Sequence, residues 1–124
     1  MATRFKQTIL AVDDIPEILV SLKAALRWDY HVYGITTAEE ALEFLQNRTP
    51  DLFILDIDMP DMDGYDLAET IRQMKNHKNT PIIFLTNIAT PENVIMARQA
   101  GGNDYIIKPI DHEILLSRVK KFLS

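Results

Sequence analysis

Five short apolar blocks, separated by stretches with helical spacing, most constrain what this chain can fold into. The blocks are TILAV (8–12), HVYGI (31–35), DLFIL (51–55), PIIFL (81–85) and YII (105–107). Between the first two, residues 15–28 place Ile15, Ile18, Leu19, Leu22 and Leu26 at helical intervals, and Pro16 suits a first turn. Residues 37–46 open with Thr37 and Glu40, the spacing of a capping box. A helix from Asp63 to about Met74 gathers Leu67, Ile71 and Met74 on one face. Thr90 followed by Pro91 starts a further helix that Gly101 can close. Asp111 can cap the last helix, with its stripe of Leu115, Val119, Phe122 and Leu123.

Strand and helix thus alternate five times, which implies a parallel sheet with helices on both faces. Strands 1, 3 and 4 are nearly continuous Ile, Leu, Val and Phe, as expected of strands buried on both sides. Strand 2 alternates imperfectly and suits an edge. Sheets of this type bind ligands beyond the carboxyl ends of the strands, where the strand order reverses. Asp13 and Asp14 follow strand 1, Asp56 ends strand 3, Thr86 ends strand 4, and Lys108 and Pro109 end strand 5. An order 2-1-3-4-5 puts the reversal between strands 1 and 3, and there Asp13, Asp14 and Asp56 meet, with Thr86 and Lys108 alongside.

Strand 3 runs into LDIDMPDMDG (55–64), which carries four aspartates in ten residues. Carboxylates crowded at one point repel unless a cation sits among them. Oxygen ligands suit a hard ion such as Mg²⁺. Thr86 adds a hydroxyl donor, and Lys108 a point charge able to bind a phosphoryl oxygen. Carboxylate nucleophile, divalent ion, hydroxyl and lysine together describe phosphoryl transfer to aspartate.

AVDD, LDIDMPDMDG, IIFLTN and DYIIKP, in this order and spacing, resemble the receiver domain of two-component response regulators from about residue 7 to 123. The resemblance implies a flavodoxin-like, doubly wound five-stranded sheet with five helices, and a single receiver domain over residues 1–124. It implies Asp56 as phosphoacceptor, Asp14 as direct Mg²⁺ ligand, Asp13 as ligand through water, and the carbonyl of Asp58 as a third protein ligand. It implies Thr86 and Tyr105 as switch residues, Lys108 as partner of the phosphoryl group, and a cis Lys108–Pro109 bond. The phosphoryl donor is then a histidine kinase or histidine phosphotransfer protein. The output surface is helix 4, strand 5 and helix 5, where a homodimer or another partner would form. Such a domain is a signalling switch that catalyses only its own phosphorylation and dephosphorylation. Asn87 stands where the family usually has a small residue, and Asp58 is seldom acidic there; both bear on turnover rates.

Composition bounds the rest. The chain has 124 residues, is 47% hydrophobic, and carries a formal charge of −5, so it can bury one core and does not suit direct nucleic-acid binding. It has no cysteine, which excludes disulfides, thiol catalysis and zinc–thiolate sites. The apolar run after Arg4 and Lys6 stops at Asp13, too short for a signal peptide, and none suits a membrane span. A soluble, cytoplasmic protein is expected. Asp61 and Asp63 suit turn and cap roles, Arg118, Lys120 and Lys121 suit the last turns of a helix, and Trp28 and the five methionines suit packing. His31, His77 and His112 lack ligand spacing and are expected to be solvated. Two alternatives differ in class. A haloacid dehalogenase-type phosphatase also uses two aspartates spaced as Asp56 and Asp58 are, but its other acidic pair follows its lysine. A pseudo-receiver would be an interaction module without chemistry.

Overall fold

The computed structural model describes residues 6–123; Arg4 lies outside them. The strands are β1 (Thr8–Val12), β2 (His31–Ile35), β3 (Leu52–Asp56), β4 (Ile82–Thr86) and β5 (Asp104–Ile107). The helices are α1 (Pro16–Leu26), α2 (Ala38–Phe44), α3 (Gly64–Arg72), α4 (Pro91–Gln99) and α5 (His112–Phe122), with a 3₁₀ turn at Lys75–His77. All strand pairs are parallel, in the order β2-β1-β3-β4-β5. This is the doubly wound, flavodoxin-like sheet with five helices.

Alternate side chains of the buried strands feed two cores. Ile9, Ala11, Ile54, Ile83 and Leu85 pack with Leu22 and Leu26 of α1 and Leu115 and Val119 of α5. Leu10, Val12, Phe53, Leu55 and Phe84 pack on the other side with Ala41 of α2, Leu67 and Ile71 of α3 and Ala97 of α4. Every residue of β3 and β4 is buried, which is why these strands read as unbroken apolar runs. Both start one residue later than the runs, at Leu52 and Ile82, and reach the ends expected of them. Asp56 and Thr86 are therefore the last residues of their strands, still inside the ladder.

The helix starts follow the local chemistry. Thr37, Asp63, Thr90 and Asp111 each accept a main-chain N–H of the helix they begin. The Thr37 hydroxyl takes the N–H of Glu40 at 3.1 Å, one half of a capping box, and the N–H of Glu39 goes to Asp61 Oδ2 at 3.2 Å. Asp61 thus ties the β3–α3 loop to α2. The first helix stops at Leu26, short of Trp28, whose ring is 75% exposed and lies 4.9 Å from the Arg27 guanidinium. Arg118 pairs across to Asp104 at 2.9 Å and to the carbonyl of Tyr105. No helix among the described residues is long and apolar enough to cross a membrane.

One expectation fails at the end of the sheet away from the acidic residues. His77 is not solvated; it is 2% exposed, edge-on to Phe53 with ring centroids 5.0 Å apart, and its Nδ1 lies 2.9 Å from Thr80 Oγ1. The reason is Arg72. Its guanidinium donates to the carbonyls of His77 (2.9 Å), Thr80 (2.6 Å) and Gly101, and to Asn103 Oδ1 (3.0 Å). These bonds fold the 3₁₀ turn inward over Phe53. Gly101, at φ 102°, closes α4 in a conformation that favours glycine, and a Cβ there would strike the Arg72 side chain.

Burial, and then the charge of Arg72, hold the His77 imidazole below its ordinary pKa. Well above pH 6.5 the ring is neutral both folded and unfolded. As the pH falls through about 6.5, the unfolded chain takes up a proton that the folded chain resists, so stability drops with acidification. Between pH 7 and 5, wild type should lose more stability than His77→Asn, the gap growing by at most about 1.4 kcal/mol per pH unit. Urea unfolding at a series of pH values measures it, and parallel curves would refute it.

Candidate functional site

Register brings the polar residues together. Val12 pairs with Leu55, so Asp13, the next residue, lies level with Asp56. Thr86 pairs with Ile107, so Lys108 emerges one step beyond on the other side. Asp14 follows Asp13 and is half-buried. One carboxylate oxygen from each of Asp13, Asp14 and Asp56 falls within 4.8 Å of the others.

Asp13 is 0% and Asp56 2% exposed. The Lys108 ammonium reaches between them, 3.0 Å from Asp13 Oδ2 and 3.2 Å from Asp56 Oδ1. Asp56 Oδ1 also accepts the N–H of Asp58 at 3.4 Å. Asp13 Oδ1 accepts the N–H of Ile15 and so fixes the entry to α1. Asp13 Oδ2 is buried, and among the described residues its partner is the Lys108 ammonium at 3.0 Å. One ammonium thus serves a carboxylate oxygen of both Asp13 and Asp56.

Backbone approach demands a glycine next to this site. The N–H of Gly64 donates to the carbonyl of Ile57 at 2.8 Å, and a Cβ at Gly64 would run into the Asp56 carbonyl oxygen. Met59 is buried beneath the loop, whereas Asp58 is exposed at its rim. Asn87 is also exposed. The Lys108–Pro109 peptide bond is cis. Thr86 is buried, and its hydroxyl is engaged with Ile88. Tyr105 is half-buried on β5. A groove of about 590 Å³ lies away from the carboxylates, between β5 and α5, lined in part by Tyr105, Ile107, Pro109, Ile114 and Lys121.

Nothing in the sequence patterns pointed to Tyr65 or Asn93. Tyr65, next to Gly64, stands T-shaped to Phe84 at 5.3 Å and donates to the carbonyl of Asn93 at 3.3 Å. Asn93 donates through Nδ2 to the carbonyl of Ile88 at 3.0 Å.

The chain matches the response regulator receiver domain family over residues 9–120 and belongs to that family. It is 34% identical over 116 residues to the sensory transduction protein BceR of Halalkalibacterium halodurans, a match covering 93% of this chain and 49% of BceR. The chain thus spans about half the length of that relative. The chemotaxis protein CheY4 of Vibrio cholerae superposes with a TM-score of 0.92 at 30% identity, covering 96% of this chain and all of CheY4 (100%). The BeF₃-activated receiver domain of DrrB, an OmpR/PhoB homologue from Thermotoga maritima, superposes with a TM-score of 0.88 at 33% identity, covering 96% and 98%. Receiver domains are the signalling modules of two-component systems that work with histidine kinases, and the match does not favour the phosphatase alternative.

Electrostatics at Asp56 has opposing parts. Burial, and then the charge of Asp13, push its carboxyl up to about 6, against the downward pull of Lys108. Burial works to lower the Lys108 ammonium, but Asp13 and Asp56 outweigh it, so its pKa is raised and it stays charged. The signs then separate cleanly. In metal-free buffer, Asp13→Asn should shift the Asp56 titration below about 6, because a repelling charge is gone. Lys108→Met should shift it upward, because the stabilising cation is gone. Carbon NMR of the Asp56 carboxyl reads both shifts; an unmoved midpoint in both variants would mean that burial alone sets it.

Proposed function

We propose that Asp56 accepts a phosphoryl group from a phosphohistidine on a histidine kinase or phosphotransfer protein, in a Mg²⁺-dependent reaction that alters the face formed by α4, β5 and α5. The observation that carries this is the buried Asp56 carboxylate, 3.2 Å from Lys108 and grouped with Asp13 and Asp14 at the reversal of strand order. We treat residues 1–124 as one such domain.

The residues fit a hard divalent cation. Three carboxylates face a single ammonium, which is the partner of buried Asp13 Oδ2 as well as of Asp56 Oδ1. Asp14 and Asp56 would bind the ion directly, with the carbonyl of Asp58, and Asp13 through water. When bound, Mg²⁺ neutralises the phosphoryl oxygens as charge moves onto them. The chain's own groups do the rest. An Asp56 carboxylate oxygen bonds to phosphorus as the phosphorus–nitrogen bond breaks, and the electron pair returns to the imidazole. Lys108 turns its ammonium to a phosphoryl oxygen, and Thr86 offers its hydroxyl to another. The new group brings roughly −1.5 to −2 charges to the strand end. Tyr105 on β5 adjoins the groove between β5 and α5, so it can carry the change to that face.

Two experiments test this reading. With acetyl phosphate and Mg²⁺, intact mass should rise by one PO₃ group, and Asp56→Asn should abolish the gain. Undiminished labelling of that variant would sink the reading, and an inert wild type would favour a pseudo-receiver. Hydrolysis is a separate step, in which water bonds to phosphorus and the bond to Asp56 oxygen breaks. Exposed Asp58 can hold that water in line, and positioning outweighs a screened repulsion. Asp58→Lys should therefore lengthen the life of phospho-Asp56; faster loss from the variant would reverse this assignment.

A further inference from the structure

We propose that Asn93, held in turn by Tyr65, is a latch that keeps the Thr86 hydroxyl away from Asp56 in the resting protein. The inference rests on Thr86 serving a phosphoryl group at Asp56, and it concerns what that service must first undo.

Thr86 Oγ1 is not idle. It donates to the carbonyl of Ile88 at 2.8 Å and accepts the N–H of Ile88 at 3.1 Å. Among the described residues these are its hydrogen bonds, and both turn it toward the β4–α4 loop. A single hydroxyl proton cannot also be given to a phosphoryl oxygen. Thr86 must release the Ile88 carbonyl before it can act at the site.

That carbonyl has a second donor, Asn93 Nδ2 at 3.0 Å. The two donors use both lone pairs of the oxygen. Residues Asn87, Ile88 and Ala89 are exposed and belong to no helix or strand. Asn93 cross-links it to the first turn of α4, where its own N–H is taken by the cap Thr90. The Asn93 carbonyl is held by the Tyr65 hydroxyl, and the Tyr65 ring stands on Phe84, two residues before Thr86 in β4. The chain of contacts is closed. It runs from Thr86 through Ile88, Asn93, Tyr65 and Phe84 back to the strand that carries Thr86. Asn93 fixes the Ile88 carbonyl where Thr86 can reach it, and Tyr65 fixes Asn93.

Removing the amide donor loosens the resting clasp and leaves the acidic cluster untouched. A hydrogen bond of ordinary net strength corresponds to roughly a 2- to 10-fold change in an equilibrium. Asn93→Leu should speed amide exchange at Ile88 in the free protein by about that factor, since Thr86 Oγ1 protects this N–H. With Mg²⁺ present, the variant should bind beryllofluoride about 2- to 10-fold more tightly, read by fluorine NMR. Its Mg²⁺ affinity, measured by calorimetry, should stay as in wild type. Tyr65→Phe should give a smaller effect of the same sign. In a Thr86→Ala background the gain from Asn93→Leu should vanish, because no hydroxyl is left to hold. Unchanged exchange at Ile88, weaker beryllofluoride binding, or a gain that persists without Thr86 would each overturn the latch. A wild type that binds no beryllofluoride would instead overturn the phosphoacceptor reading, and exchange at Ile88 would still decide whether Asn93 holds Thr86.

Discussion

The ion contact of Lys108 with Asp13 and Asp56 is the interaction on which the rest depends. Two carboxylates at 0% and 2% exposure, at the ends of neighbouring strands, would force the sheet apart or take up protons if left alone. One ammonium within 3.2 Å of both offsets their repulsion. It does so incompletely, as the raised pKa of Asp56 records. Stability alone would favour apolar residues here. The cluster costs folding energy that the two cores must supply, and that cost leaves a charge-hungry centre at the switch point of the sheet.

The two ends of the sheet solve opposite problems. At the far end, Arg72 donates to main-chain carbonyls of three residues and so satisfies backbone that the turns leave unpaired. Its neighbours Gly101 and Gly102 permit close approach, Gly102 lying flat against Phe84. That end is closed by neutral acceptors around one cation. The end with Asp56 has the reverse balance, with three carboxylates around one cation. Hydrogen bonding from one cation is concentrated at one end, and excess negative charge at the other.

Periodicity made the sheet legible. Continuous Ile, Leu and Phe in β3 and β4 mark strands covered on both faces, and Thr or Asp marks the cap of α2, α3, α4 and α5. Placing Asp13, Asp14, Asp56, Thr86 and Lys108 at one end needed only the strand order. What escaped the sequence depends on main-chain acceptors far away in the chain. His77 is buried because Arg72 pulls its carbonyl inward, and no local pattern encodes that. Asn93 and Tyr65 act through carbonyl oxygens of Ile88 and Asn93, which every residue type possesses. A strand ends where its ladder ends, so polar Asp56 and Thr86 stay inside it.

Space, as well as hydrogen bonding, restrains the β4–α4 loop. Ile57, Thr86, Ile88, Asn93, Ala97 and Tyr105 surround a cavity of about 10 Å³. That is at the lower limit for one water molecule and far below the volume of a phenol ring. Half-buried Tyr105 therefore cannot turn fully inward while the loop keeps its resting position. Under the proposed switch, movement of Thr86 toward Asp56 vacates part of the wall of this cavity and frees the Ile88 carbonyl from one donor. Tyr105 then gains room only after Thr86 has moved. Packed interiors favour such discrete arrangements over gradual deformation, because intermediate positions of the ring meet occupied space. Under that proposal volume sets the order: the hydroxyl leaves first and the ring follows. The proposed change at the face bearing Ile107 and Ile114 then requires both movements.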